Sequence, residues 1–204
     1  MATGVKVIQC TAFEASNEYI NNRGQYADAF AKIAHVEGHI SSYWGLQVPE
    51  EGAKKGLIVT VWESSAHYNK FVGSDTYNSG VSSLKSAAVG ELKRAQFTGV
   101  VGTPIPGLSA AVTEVVLVRP NAGVTADHIK DAAHKLYAAF ESNGRPSALG
   151  VSTDQDGLYI VLVGWSSVSE SRETVKKEPF ASAIAAFSTL ASQEITHATL
   201  DKHT

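Results

Sequence analysis

The chain has 204 residues, of which 44% are hydrophobic and 18% charged, and its formal net charge is −3. This composition supports a normal buried core in one or two domains and excludes an intrinsically disordered chain. Basic residues cluster no further than pairs such as Lys54-Lys55, which disfavours nucleic-acid binding. Apolar runs have the length of a strand, so we expect no membrane span. Because Cys10 is the only cysteine and no signal-peptide apolar region is seen, we expect a cytoplasmic protein without an intrachain disulfide.

The first half is predicted to run strand, helix, strand, strand, helix, strand. Its first helix follows from an apolar stripe of Tyr26, Phe30 and Ile33, spaced four and three residues apart. Its second helix has an N-cap at Ser64 or Ser65 and resumes, after a polar interruption, as a second helical piece. The predicted strands are 5–13, 40–48, 57–62 and 95–101, and the predicted helices are 19–36, the segment after the serines and 81–92.

Two prolines and two glycines in residues 102–109 predict a linker without regular structure. The pattern then restarts with a strand, a helix capped by Thr125, a hairpin, a helix broken near Pro179 and a last strand. The predicted strands are 112–119, 148–153, 158–165 and 194–200, and the last helical stretch is about 167–192. We therefore divide the chain into a first half at 1–101, a linker at 102–110 and a second half at 111–204.

A strand that ends in Trp and leads into a Ser-rich helix start occurs twice, at residues 56–65 and 158–167. Trp62 and Trp165 lie 103 residues apart, which exceeds solenoid periods of roughly 20–50 residues and indicates a duplicated domain. Each half has the βαββαβ order of a ferredoxin-like unit, with both helices on one face of an antiparallel sheet. Because the other face must also be buried, we expect an α+β fold in which two tandem ferredoxin-like units pack sheet-to-sheet as an eight-stranded α/β barrel.

Three short segments recur in both halves: 62–64 with 165–167, 74–77 with 177–180, and 44–46 with 149–151. In these segments and in Phe71 the chain resembles the dimeric α/β-barrel superfamily in its single-chain tandem form. The antibiotic-biosynthesis-monooxygenase-like and stress-responsive A/B-barrel groups are the nearest in pattern. The superfamily includes cofactor-free oxygenases, polyketide cyclases, isomerases, haem-degrading enzymes and proteins with no known activity, so the resemblance does not settle function.

The same resemblance argues against a haem. Haem-degrading members resemble one another in a helix with a Trp and, ten residues later, a His, and these positions here hold Phe71 and Val81. The spacing of His35 and His39 would suit a metal on a helix, but Gly38 lies between them and is expected to end that helix. The sequence also has no phosphate-binding glycine motif, so we expect neither a cofactor nor a metal.

Six residues are candidates for a site. We predict catalytic roles in proton transfer for His67, Tyr68 and His197, and substrate contacts for Trp44, Trp62 and Tyr77. Each of the six has an alternative interpretation as a packing residue of the core. The first half is favoured for the pocket because the second half has fewer aromatic residues at matching positions.

We expect a small-molecule-binding barrel that acts as a cofactor-independent oxygenase or cyclase on a planar aromatic or polyketide-like compound. The alternative is a non-enzymatic stress-response or recognition protein whose barrel is filled by side chains. The expected partner is a small apolar or aromatic ligand rather than nucleic acid or a membrane. A homodimer through the outer helices is compatible with both functions.

Overall fold

The computed structural model describes residues 6–203 as an α+β fold whose eight strands form a closed antiparallel barrel. The strands are β1 Val7–Ala15, β2 His39–Gln47, β3 Lys55–Trp62, β4 Ala88–Gly102, β5 Val112–Pro120, β6 Ser147–Ser152, β7 Tyr159–Trp165 and β8 Ala191–His203. Their order around the barrel is β1-β3-β2-β8-β5-β7-β6-β4. The eight-stranded α/β barrel expected from the sequence is therefore confirmed.

The helices are short apart from α6. They are α1 Asn17–Asn22, α2 Ala27–Ile33, α3 Ser65–Val72, α4 Asp75–Ser83, α5 Pro104–Leu108, α6 Ala126–Ser142, α7 Val168–Thr174 and α8 Phe180–Leu190, with 3₁₀ turns at Arg23–Tyr26, Pro49–Glu51 and Leu84–Ala87. Within residues 6–203, no helix is long and apolar enough to cross a bilayer. The chain forms two compact units, the first comprising Met1–Gly99 with Ala198–Thr204 and the second Val100–His197.

Side-chain caps fix the starts of helices α3 and α6. Ser64 Oγ accepts a hydrogen bond from the backbone N–H of His67 and caps α3. Thr125 Oγ1 accepts one from the backbone N–H of His128 and caps α6. Each cap satisfies a backbone donor that the helix leaves unpaired. The structure thus selects Ser64 from the predicted alternatives Ser64 and Ser65, and it confirms the predicted N-cap at Thr125.

The sheet of the first unit is buried on both faces. Strand β3 lies between β1 and β2, and β4 pairs with the other edge of β1. On the face towards the helices, Trp62 stacks on Phe71 with ring centroids 5.0 Å apart, and Trp44 stacks on Phe30 at 4.8 Å. Strand residues alternate between faces, so Tyr43 points the opposite way from Trp44, and it is also fully buried.

Strand β2 also pairs with the last residues of β8, which belong to the same unit, and places Gly45 opposite Leu200. A Cβ atom at Gly45 would lie 1.9 Å from the backbone oxygen of Thr199. That distance is far inside van der Waals contact with an atom that cannot move aside. Only glycine therefore lets these two strands approach.

The predicted helix at 81–92 is wrong beyond its first residues. The chain turns at Leu84–Ala87, which buries Leu84 and Ala87 against the aromatic core, and β4 begins at Ala88. Gly90 has φ of +85°, a conformation that lies outside any right-handed helix. Residues 88–94, expected to divide between a helix and a gap, are therefore part of a long strand.

Two other boundaries also differ from the prediction. The helix expected at 19–36 is divided into α1 and α2 by the 3₁₀ turn at Arg23–Tyr26, which contains a glycine. The linker expected to lack regular structure holds α5. Pro104 starts this short helix, where proline fits because the first backbone N–H groups have no helical partner.

The second unit repeats the arrangement, with β7 between β5 and β6. Its long helix α6 buries the predicted apolar stripe of Ile129, Ala133, Leu136 and Phe140, which confirms that helix. Phe140 lies edge-on to the Trp165 ring at 6.0 Å. The stripe thus anchors α6 over the Trp-bearing strand of its own unit.

Candidate small-molecule site in the first unit

A narrow cavity lies within the first unit, between the sheet and helices α2, α3 and α4. It is lined by Gln9, Thr11, Ala29, Phe30, Ile33, Ile58, Thr60, Tyr68, Phe71, Tyr77, Gly80, Val81, Leu84, Leu92 and Arg94. The space open to the centre of a water molecule is about 50 Å³, room for roughly four waters at about 10–15 Å³ each. The cavity is therefore a slot that a larger molecule would have to widen.

The strands form a polar floor in this cavity. Gln9 is paired with Thr60 across β1 and β3, and Thr11 is paired with Arg94 across β1 and β4. Paired residues point to the same face of a sheet, so all four side chains face the helices together. Gln9, Thr11 and Thr60 are buried. The register of three strands thus gathers polar groups that lie far apart in the sequence.

A chain of hydrogen bonds runs along this floor. Trp62 Nε1 donates to Thr60 Oγ1 at 2.8 Å, and the Thr60 hydroxyl donates to Gln9 Oε1 at 3.1 Å. Gln9 Nε2 donates to Thr11 Oγ1 at 2.5 Å. Buried polar groups are costly unless hydrogen-bonded, and these bonds give Trp62, Thr60, Gln9 and Thr11 a partner each.

The helices supply an apolar roof. Phe30 and Ile33 come from α2, Phe71 from α3 and Val81 from α4. Phe30 and Phe71 are themselves held by stacking on Trp44 and Trp62. An apolar roof over a polar floor is the usual composition of a site that orients a small organic molecule.

Arg94 and Tyr77 form the charged end of the cavity. The Arg94 guanidinium donates to the Tyr77 hydroxyl oxygen and lies 5.3 Å from the centre of the same ring. Ser74 caps α4 by accepting from the backbone N–H of Tyr77, which fixes the position of that residue. Among the described residues that line the cavity, Arg94 is the only one with a formal charge. A guanidinium carries a positive charge and several N–H donors, so Arg94 can pair with a ligand oxygen that carries negative charge.

No protein-family model matches the chain, and no curated protein matches it. Solved structures match nearly its full length. A "putative monooxygenase" from Lactobacillus acidophilus NCFM has a TM-score of 0.70 at 13% identity, covering 98% of this chain and 96% of its own. A second putative monooxygenase, from Fusobacterium nucleatum, has a TM-score of 0.72 at 10% identity and covers 100% of this chain and 96% of its own. An anthrone oxidase-like protein has a TM-score of 0.70 at 13% identity and covers 98% of this chain and 93% of its own. The chain has the dimeric α/β-barrel fold.

Two predicted residues line the cavity of the first unit. Tyr68 reaches it from α3 and Tyr77 from α4. Trp62 lies behind the lining, where it packs on Phe71 and starts the hydrogen-bond chain. Trp44 is 5% exposed, stacked between strand and helix, and it too lies behind the lining. The two tryptophans thus support the walls of the cavity.

His67 lies away from the cavity lining. Its Nδ1 is 3.0 Å from Ser64 Oγ and 3.7 Å from a Glu63 carboxylate oxygen. Its ring packs so closely on Gly38 that a Cβ atom there would lie 2.1 Å from the imidazole. The contacts of His67 therefore join the start of α3 to the loop before β2.

His197 lies in the second unit, in a buried cluster with Ser171 and Glu114. Its Nε2 is 3.0 Å from Ser171 Oγ and 3.4 Å from Glu114 Oε2. The same carboxylate oxygen accepts from Ser171 Oγ at 3.0 Å and from Trp165 Nε1 at 2.7 Å. The three predicted catalytic residues are therefore not brought together, since Tyr68 lines the cavity and both histidines lie elsewhere.

Sequence reasoning missed Arg94 and the polar floor, although a signal for them was present. Glu114, Ser171 and His197 of the second-unit cluster lie 103 residues after Thr11, Tyr68 and Arg94 of the cavity. This is the offset that separates Trp62 from Trp165. A comparison of polar residues 103 positions apart would have shown that the same strand and helix positions carry polar groups in both halves.

The cavity does not supply the residues that the resemblance associates with haem. Phe71 and Val81, at the positions of the family's Trp and His, both line it, and a valine side chain has no atom that can bind iron. In residues 6–203, no three His, Cys, Asp or Glu side chains converge as they would around a metal ion. The side chains of the cavity that carry polar groups are its tyrosines, its arginine and its polar floor.

Proposed function

We propose that the first unit binds a planar aromatic or polyketide-like molecule through an acceptor oxygen and oxidises it with O₂ without a bound cofactor. The observation that carries this proposal is the cavity end, where Arg94 and Tyr77 present a positive charge and a phenol beneath the apolar roof. Charged groups act strongly in such surroundings because little water screens them.

The structural neighbours support the type of reaction. Two are described as monooxygenases and one as an anthrone oxidase-like protein. Anthrone is a planar tricyclic ketone, and its single acceptor oxygen suits a cavity in which Arg94 is the only charged residue among the described lining residues. We therefore take anthrone as the probe of the proposed reaction.

The proposed reaction starts with enolisation. Loss of a proton from the ring CH₂ group moves its electron pair onto the ketone oxygen, and Arg94 stabilises the resulting enolate by donating to that oxygen. In this proposal the proton is exchanged by the phenols of Tyr68 and Tyr77, which both line the cavity. The enolate then gives electrons to O₂. One oxygen atom becomes the new carbonyl of anthraquinone, and the other leaves as water with the two hydrogens of the CH₂ group.

Binding of a tricyclic ligand requires the slot to open. Its present volume of about 50 Å³ is well below the roughly 300–1,000 Å³ of drug-sized pockets. Helices α3 and α4, of eight and nine residues, form the side that would have to move outwards, and Gly80 and Val81 there are partly exposed. The narrowness also favours a second candidate function, a non-enzymatic protein whose cavity is filled by its own side chains.

The test is O₂ consumption and anthraquinone absorbance with anthrone as substrate. We expect the wild-type protein to exceed the spontaneous rate and Arg94→Met to lower the enzymatic rate about 100-fold, the usual effect of removing an oxyanion donor. Lys93→Met is the matched control, because Lys93 is the exposed neighbour on the opposite face of β4 and should not matter. A wild-type rate equal to the spontaneous rate would overturn the proposal, and the absence of both binding and turnover would favour the second candidate.

A further inference from the structure

The hydrogen-bond chain on the cavity floor has a direction. An indole N–H can only donate, so Trp62 uses the acceptor capacity of Thr60. The single hydrogen of the Thr60 hydroxyl then goes to the carbonyl oxygen of Gln9, which can only accept. The orientation of the Gln9 amide is set by this bond, and its NH₂ group is turned towards Thr11.

The chain ends on Thr11, whose oxygen accepts from Gln9. A hydroxyl has one hydrogen, and no side chain or carbonyl in residues 6–203 accepts the one on Thr11. Thr11 is 4% exposed and lines the cavity. Its remaining hydrogen is therefore available to a molecule in the cavity.

Two further donors meet Thr11 at this place. Arg94 is its direct partner across β1 and β4, so both side chains project from adjacent positions on one face. Tyr77 accepts from Arg94 with its oxygen, which leaves the phenolic hydrogen to donate elsewhere. This end of the floor thus presents hydroxyl, guanidinium and phenol hydrogens together.

The matching position in the second half has the opposite polarity. There the indole N–H of Trp165 donates directly to the carboxylate of Glu114, which can only accept. Glu114 lies 103 residues after Thr11. In the first half, Thr60 and Gln9 stand between the indole and Thr11 and convert that position into a donor. The donor character of Thr11 is therefore a property of the first unit's own residues.

We propose that Thr11 is a specificity-determining residue, which donates to a carbonyl or enolate oxygen of the ligand beside Arg94 and disfavours ligands with N–H or O–H groups at that point. This rests on the proposed function only in that the ligand occupies the same cavity. Trp62, Thr60 and Gln9 are positioning residues, which act by orienting the Thr11 hydroxyl.

The ligand test compares 9-fluorenone with fluorene, which has the same ring system without the oxygen, using quenching of tryptophan fluorescence. We expect wild type to bind fluorenone more tightly than fluorene. Thr11→Val should weaken fluorenone binding about tenfold, the effect of one neutral hydrogen bond, and leave fluorene binding unchanged. Thr11→Ser, which keeps the hydroxyl, should restore fluorenone binding. Equal fluorenone affinity in wild type and Thr11→Val would overturn the inference while leaving the proposed function standing.

A ligand-free test decides the inference even if neither compound binds. High-resolution crystal structures of wild type and Thr11→Val should show an ordered water within about 3.2 Å of Thr11 Oγ1 in the cavity, absent from the variant. Thr60→Val, which breaks the chain upstream, should displace that water without removing the threonine. A wild-type structure in which the Thr11 hydroxyl donates to a protein acceptor would overturn the inference. Failure of wild type to bind fluorenone and to oxidise anthrone would instead count against the proposed function.

Discussion

Replacing Glu114 with alanine should strongly destabilise the second unit. The carboxylate is 8% exposed, and one of its oxygens accepts from Trp165 at 2.7 Å and from Ser171 at 3.0 Å while lying 3.4 Å from His197. Alanine would leave three buried polar groups without this acceptor. Each unsatisfied group costs about 1–3 kcal/mol, and the Ser171–His197 contact can survive, so we expect a loss of roughly 3–5 kcal/mol.

Urea unfolding followed by ¹⁹F NMR of protein labelled with 5-fluorotryptophan measures this loss. Trp165 reports the second unit, and Trp44 and Trp62 report the first. With an m-value of about 2 kcal/mol per molar urea, the Trp165 midpoint should fall by roughly 1.5–2.5 M. Glu114→Gln keeps an acceptor oxygen for the indole and should lose less than half as much. A Trp165 midpoint in the alanine variant within about 0.3 M of wild type would refute the reasoning.

Three further predictions follow from single contacts. Gly45→Ala should cost more than about 3 kcal/mol in urea unfolding, because its Cβ would meet a backbone oxygen at 1.9 Å; an unchanged midpoint would contradict that geometry. Hydrogen bonds from the Ser166 hydroxyl and backbone N–H and from Arg145 lower the pKa of Glu170 to about 2 from 4.5. Its stabilisation is therefore complete above pH 4.5 and lost as the pH falls towards 2, so Glu170→Gln should flatten the acid limb of a stability–pH curve, and an unaltered limb would count against these bonds. Burial raises the pKa of the Cys10 thiol to about 12, so Ellman's reagent at pH 8 should label only unfolded protein, and rapid labelling of the native state would be inconsistent with this.

The fold could be predicted because it rests on local patterns. Alternating strands, helix caps at Ser64 and Thr125 and the 103-residue repeat all act over short stretches or by simple comparison of the halves. The requirement to bury the second face of each sheet then leaves few arrangements. Tyr68 and Tyr77 could be chosen because a phenol can donate a proton to a ligand carbonyl.

The polar floor could not be predicted, because strand register creates it. Arg94 fell between a helix expected to end at 92 and a strand expected to begin at 95, whereas it lies within β4 opposite Thr11. Which residues of β1 and β4 meet also depends on an irregularity in their pairing after Ala12. His67 was chosen for its nearness to Trp62 in sequence, which does not reveal that its ring packs on Gly38.

A crystal structure of the wild-type protein with 9-fluorenone tests the central claim most directly. We expect the ring system to lie between the helices and the helix-facing side of the first-unit sheet, against Phe30 and Phe71, with the ketone oxygen within about 3.2 Å of the Arg94 guanidinium. Fluorenone bound elsewhere, or bound in this cavity with its oxygen turned away from Arg94, would contradict the account.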